Sequence, residues 1–405
     1  RATIRRIHRE NPECKILVTG CYAQRSPQEI ADIPGVTWVI GNSHKSEVAG
    51  LAAVGVATPP PVGSSISQFG ASQRVPTQEF VGVSQLLHPN PASLLVGDIF
   101  AHTELMAAPV FEGHGRTRPN LKIQDGCDNR CSFCVIPFVR GNSRSLPLDS
   151  VLRECHALAA AGFREIVISG INLGRWGHDF DIPIRFEELV RAILDKTEIE
   201  WLRISSVEPM DWSNELIALM AESDRLCKHA HIPLQSGSDR VLRMMHRKYR
   251  PWHYADRVRR IRAAMPDAAI GADVMVGFPG ESDELFEENR VFIAELPFTY
   301  LHVFTYSSRP VTAAAKLPDH VPLSVAKERN RILRELIAEK DLAFRQRFVG
   351  RPLEAITLHT VSEVHTDALT NNFLRLSLAG AHPANQLKTV SITGTSGSGL
   401  TGVEA

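Results

Sequence analysis

The sequence has no apolar run approaching the ~18–20 residues that a membrane-crossing helix needs, which excludes a helical span. Its opening, "RATIRRIHREN", lacks the apolar segment of a signal peptide. Ile4 and Ile7 there read instead as one face of a short helix. The first residue is Arg1 and not Met, so the chain is expected to begin partway through a domain. Charge of neither sign is in excess: 45 Lys and Arg balance 45 Asp and Glu. Any nucleic-acid contact must therefore come from local patches. Seven cysteines in 405 residues form no secreted-type disulfide framework; reduced thiols or metal ligands in a cytosolic protein are expected. An apolar content of 43% is ordinary for a globular chain with room for two or three domains.

Three regions of different texture follow. In residues 14–42, "KILVTG", "SPQEIADI" and "TWVIGN" read as strand, helix and strand, with Ser26 as helix cap. Residues 52–118 are rich in Pro, Gly and Ser and read as a partly disordered linker, in which "SLLVGDIFAH" is a strand docking on a neighbour. From residue 119, six strand-like runs ("LKIQD", "EIVIS", "WLRIS", "HAHIPL", "IGADVMVGF", "YLHVFTYS") each lead to a helical segment. This α/β pattern implies a parallel sheet, and about 220 residues fall short of the ~250 of a closed eight-unit barrel, so a partial (β/α)6 barrel is expected over 119–349. A long helix then leads to residues 350–405, where "ITLHTVSEV", "NFLRLSLAG" and "LKTVSITG" suggest a small antiparallel β-barrel.

Chemistry in such sheets sits at the carboxyl ends of the strands. Directly after the first strand, "DGCDNRCSFCVIP" places Cys127, Cys131 and Cys134 within eight residues. Three thiolates are one short of a structural zinc site. They fit a four-iron cluster with one iron left open, although a zinc knuckle lacking a ligand or three structural thiols have the same letters.

C-x3-C-x-aromatic-C after the first strand of a partial barrel resembles the radical S-adenosylmethionine (SAM) superfamily. The longer string "KIQDGCDNRCSFCVIPFVRGNSRS" resembles its methylthiotransferase family, and "VTGCYAQR" with "VISGINLGRWG" resembles the MtaB-type branch acting on threonylcarbamoyladenosine in tRNA. The resemblance covers residues 1 to about 350 well and the last 55 more loosely, where "LTNNFLRLSL" is similar to the TRAM RNA-binding module. It implies a [4Fe-4S] cluster held by Cys127, Cys131 and Cys134, whose open iron chelates SAM and makes a radical that takes hydrogen from adenine C2. It further implies tRNA as partner, recognised near the anticodon, and an electron donor such as flavodoxin or ferredoxin.

At the other strand ends the resemblance points to Gly170 and Asn172 in a turn facing the SAM amino group, and to Glu208 near the ribose. Gln235 and Asp273 would line the pocket. Arg140 and Arg144, with "RMMHRKYR" from Arg243 to Arg250, read as a solvated charged face or as phosphate contacts. The family holds an auxiliary cluster with three N-terminal cysteines. Only Cys21 matches one, so the chain reads as N-terminally truncated and without that cluster. Cys14 is expected to be a buried thiol; Cys155 and Cys227 read as core or surface thiols. Thr305 and Val311 stand where the family has Pro and Gly, and Val311 is expected to strain its turn. Methylthiotransferases for isopentenyladenosine tRNA or a ribosomal protein, and an inactive iron–sulfur or RNA-binding relic, are the alternatives.

Overall fold

A computed structural model describes residues 1–54, 92–102, 105, 117–397 and 399–405. Most of the segment expected as a linker lies outside the described residues. The chain forms two compact units, one of Arg1–Glu104 with Ile136–Asn142, the other of Leu105–Val135 with Ser143–Ala405.

In the first unit, α1 (Ala2–Glu10) precedes β1 (Ile16–Thr19), the short helices α2 (Cys21–Arg25) and α3 (Pro27–Ala31), β2 (Val36–Ile40), α4 (Val48–Val54), β3 (Ser93–Leu95) and α5 (Ile136–Arg140). The three strands form one parallel sheet in the order β1-β2-β3. "SLLVGDIFAH" therefore supplies a strand, but only over its first three residues. Ile30, Ile33, Val36 and Val39 make the core between helix and sheet. Ser26 occupies the N-cap of α3, but its hydroxyl accepts no N–H of the helix; Pro27 at the first position starts α3 instead.

The second unit contains all six strands expected from the sequence: β4 (Asn120–Lys122), β7 (Glu165–Ser169), β8 (Trp201–Ile204), β9 (His229–His231), β10 (Ala269–Val276) and β11 (Tyr300–Thr305). They pair in parallel as β4-β7-β8 and β9-β10-β11, and bridges at Leu202–Leu226 and Ser206–His231 join the halves. A small hairpin, β5 (Gln124–Asp125) with β6 (Arg144–Ser145), brackets the cysteine loop. The covering helices are α6 (Leu148–Ala160), α7 (Phe186–Lys196), α8 (Asn214–Glu222), α9 (Asp239–Met244), α10 (Pro251–Ala264), α11 (Asp283–Glu295) and α12 (Leu323–Gln346). Helices α8 and α11 begin where the hydroxyls of Ser213 and Ser282 accept an N–H three residues on.

Alternation along the strands divides the sheet into two unlike faces. Ile166, Ile168, Leu202, Ile204, Ala272 and Val274 join Leu189, Ile261 and Leu333 of the helices in one apolar core. The opposite, concave face carries Glu165, Arg203, His229, His231, Asp273, Tyr300 and His302, a polar lining. Glu165, Arg203, His229 and His231 are buried there, Asp273 and Tyr300 are part-buried, and His302 is exposed.

The C-terminal residues close a five-stranded barrel from β12 (Pro352–Ser362), β13 (His365–Thr370), β14 (Arg375–Ala379), β15 (Leu387–Ser396) and β16 (Gly399–Glu404). Three strands were expected here from pattern. The additional two, β13 and β16, are polar or Gly-rich and become strands through barrel pairing.

Candidate active site

The cysteine loop leaves β5 through Gly126, whose φ of +71° only glycine adopts without strain. Gln124 organises this exit. Its side-chain N–H donates to the carbonyls of Asp125 and Gly126 and to the Ser143 hydroxyl, each at 2.9 Å, while its Oε1 accepts the Asn172 N–H at 2.7 Å. A Cβ on Gly170 would meet the Gln124 side chain at 2.9 Å, so that turn needs glycine. Further on, Ser132 donates its N–H and hydroxyl to the carbonyls of Met245 and Met244 at the end of α9. The loop is thus tied at both ends to rigid elements.

Cys127 is buried, and Cys131 and Cys134 are half-buried. Burial pushes the Cys127 thiol up, opposed by the Asn129 N–H that it accepts. Asn172 Nδ2 lies 3.8 Å from the Cys127 sulfur, and Arg247 Nη1 lies 3.1 Å from that of Cys131. Donors and a cation aimed at sulfur are what a thiolate-bound cluster uses. Among the described residues, the one His/Cys/Asp/Glu group converging to within 4.8 Å is His231, Asp273 and His302, not the three cysteines. A single zinc ion, at about 2.3 Å from each sulfur, would need that convergence. The donor set therefore fits a larger, multi-iron group.

Arg247 was not identifiable from sequence, where it lay within an apparent surface charge run. Its side chain is 6% exposed and pairs with Glu208, which brings the ends of the third strand and of α9 to the cysteine loop. Burial works against its charge, but Tyr249, Glu208 and Cys131 hold the guanidinium well above its ordinary value. Burial pushes the Glu208 carboxyl up, opposed by Arg247. Arg144 is likewise buried, whereas Arg243 and Lys248 are exposed and Arg140 and Arg250 part-exposed; Arg243 and Arg250 each pair with Asp239.

Gln235 has φ +65°, uncommon for a residue with a Cβ, and its backbone N–H donates to the Asp273 carbonyl at 2.8 Å. Strain held in place by the surrounding sheet marks functional positions. Deeper in the concave face, Asp273 sits between His231 Nε2 at 3.3 Å and His302 Nδ1 at 3.2 Å. Burial pushes the Asp273 carboxyl up, but hydrogen bonds from both histidines outweigh it and hold the group well below the usual carboxylate range. Single residues on three strands carry no motif, so sequence reading identified Asp273 without its partners.

In the first unit, the Cys21 sulfur accepts from Arg140 Nε at 3.3 Å and Asn42 Nδ2 at 3.6 Å. Cys14 is half-exposed and not buried as expected, because its strand begins only at Ile16. Cys155 and Cys227 are buried core thiols, each pushed up to about 12 by burial. Val311 lies outside the positive-φ residues, so the turn expected to be strained there is not.

A parallel partial barrel with three thiols after its first strand defines a radical SAM protein, and residues 121–293 match the family model of the Radical SAM superfamily. The chain is 34% identical over 397 residues to the threonylcarbamoyladenosine tRNA methylthiotransferase MtaB of Aquifex aeolicus, covering 97% of this chain and 86% of that one. It is 36% identical to the enzyme of the same name from Bacillus subtilis, covering 94% and 78%. It is 33% identical to the tRNA-2-methylthio-N(6)-dimethylallyladenosine synthase of Syntrophobacter fumaroxidans, covering 83% and 67%. The chain belongs to the MtaB family of radical SAM tRNA methylthiotransferases. Members of the superfamily bind a [4Fe-4S] cluster and SAM. Among the described residues, no helix is long and apolar enough to cross a membrane.

Proposed function

We propose that the protein methylthiolates N6-threonylcarbamoyladenosine beside the anticodon of tRNA. The observation that carries this reading is similarity along nearly the whole chain to enzymes named for that substrate, with the three-cysteine loop intact. Cys127, Cys131 and Cys134 would hold the cluster and leave one iron open. When bound, the cluster and SAM supply the one-electron and methyl-transfer chemistry. The chain's own residues position and shield it. Arg247 offsets thiolate charge at Cys131, and Gln124 fixes the loop against the turn of Gly170 and Asn172, which would face the SAM amino group. Glu208 would lie by the ribose, with Gln235 and Asp273 lining the pocket.

The division into 1–51, 52–118, 119–349 and 350–405 is the domain reading consistent with this chemistry, the last being TRAM-like and RNA-binding. A flavodoxin or ferredoxin would supply electrons in the cytoplasm. Cys21 is the one cysteine of this chain in an auxiliary-cluster motif, too few to hold a second cluster. Anaerobic reconstitution is therefore expected to give about four irons per chain, lost in Cys127→Ala, Cys131→Ala or Cys134→Ala and little changed in Cys21→Ala. Roughly eight irons, or loss of half on replacing Cys21, would contradict the ligand assignment. Nucleoside mass spectrometry of tRNA from cells with and without the gene tests the substrate: an unchanged methylthio-nucleoside pool refutes it.

A further inference from the structure

The polar face inside the half-barrel holds a chain of polar contacts of which the ligand assignments above use only Asp273. Tyr300 places its hydroxyl 2.7 Å from His229 Nε2 and 2.9 Å from His231 Nδ1. His231 Nε2 in turn faces one Asp273 oxygen, and His302 Nδ1 faces the other. Proton counting fixes the direction of the chain. If His231 donates from Nε2 to Asp273, its Nδ1 must accept from Tyr300, and the Tyr300 oxygen then accepts from His229. His231 Nε2 reaches Asp273 only at ion-pair distance, 3.3 Å, while the two Tyr300 contacts are hydrogen bonds. His302 ends the relay with its side chain 62% exposed, so its Nε2 is the relay atom turned toward open space.

Register places this wall near the reaction centre. Val207 N–H donates to the His231 carbonyl, and Glu208, which pairs with Arg247 at the cysteine loop, is the next residue. The Asp273 charge also adds to the upward push on the Glu208 carboxyl.

The two substrate classes of the relatives differ in the chemistry they present to such a wall. A dimethylallyl group has only hydrocarbon to offer, and would bury His302 against nothing that hydrogen-bonds. A threonylcarbamoyl group carries a carboxylate and a hydroxyl. A protonated His302 would lie between two anions, Nδ1 donating to Asp273 and Nε2 to the incoming carboxylate, a charge-assisted pair on each side. Both Asp273 oxygens already face an imidazole nitrogen, which favours this arrangement over a metal ion.

We infer that His302, oriented by Asp273 and the His231–Tyr300 relay, is the specificity residue that receives the carboxylate-bearing N6 substituent of the substrate adenosine. The inference rests on the tRNA methylthiotransferase reading and deepens it. The test compares binding of three anticodon stem-loops, carrying threonylcarbamoyladenosine, dimethylallyladenosine or plain adenosine, to the cluster-loaded wild type, His302→Phe and His302→Gln. Wild type should prefer the threonylcarbamoyl stem-loop. His302→Phe should lose about 10-fold or more of that affinity while its affinity for the plain stem-loop and its iron content stay the same. His302→Gln, which keeps a polar tip, should recover part of the loss. If wild type shows the preference and His302→Phe keeps it in full, the inference fails while the substrate reading stands. If wild type itself has no such preference, the substrate reading fails. Cobalt(II) absorption that His302→Phe abolishes, with stem-loop preference intact, would make the cluster a metal site and overturn the inference.

Discussion

Glu165, at the start of the second barrel strand, is a residue whose charge is decided entirely by its neighbours. It is fully buried and accepts from Arg203 at 2.6 Å and Arg118 at 2.8 Å. Burial alone would push its carboxyl up, but the two guanidiniums outweigh this and hold it below the ordinary 4.5. A buried pair adds little net stability when intact, yet removing one partner strands the other charge. Glu165→Ala should therefore cost about 3–5 kcal/mol, read as a lower urea midpoint. The pH dependence follows from the sign of the shift. A carboxyl depressed in the folded state contributes stability above its unfolded value, and that contribution fades as pH falls through the folded value. Wild type should thus lose melting temperature below about pH 4.5 more steeply than Glu165→Gln. Parallel acid slopes for the two proteins would refute the assignment.

At the scale of elements, the sheet β9-β10-β11 shows how register converts scattered letters into a site. Gly271 pairs with Tyr300, and Asp273 with His302. A Cβ on Gly271 would come within 1.9 Å of the Tyr300 ring, so the glycine makes room for the ring that carries the relay hydroxyl. Gly271→Ala should destabilise by about 1–3 kcal/mol through overpacking. It should also break the Tyr300 contacts to His229 and His231; a thermal midpoint equal to wild type would show that the ring has an alternative seat. The six strands were legible beforehand because one whole face of each is apolar and meets the helices. The cysteine loop was legible because all its ligands lie within one segment. Of His231, Asp273 and His302 only Asp273 was, since residues 231 and 302 meet it only through strand pairing. Arg247 was misread because a charge run looks the same in sequence whether it faces water or covers a cysteine sulfur. Strands β13 and β16 were missed because "HTDALT" and "GLTGVE" have little apolar alternation of their own.

For the molecule as a whole, the turn joining β13 to β14 decides whether the C-terminal barrel and the half-barrel stand or fall together. Phe373 there adopts φ +67°, a conformation held by what surrounds it. Its ring stacks on His229 with centroids 4.0 Å apart, and the Arg203 guanidinium lies 5.4 Å from its centre. The carbonyls of Thr370 and Asn371 accept from Arg203, Asn371 Oδ1 accepts the Lys228 N–H, and Asn372 donates to the Asp267 carbonyl. Trp201 and Cys227 of the sheet share a core with Ile356 and Leu369 of the barrel. This continuity closes the floor of the concave polar face, beneath the His229–Tyr300 end of the relay. Phe373→Ala should cost less than the ~3–5 kcal/mol of a fully buried aromatic truncation, because the ring is only partly buried. Hydrogen exchange gives the sharper test, because cooperative units open together. In the variant, amides of β8, β9 and β13 should all exchange faster by a common factor. Acceleration confined to β13 would show instead that the barrel opens alone and that the sheet keeps its floor without it.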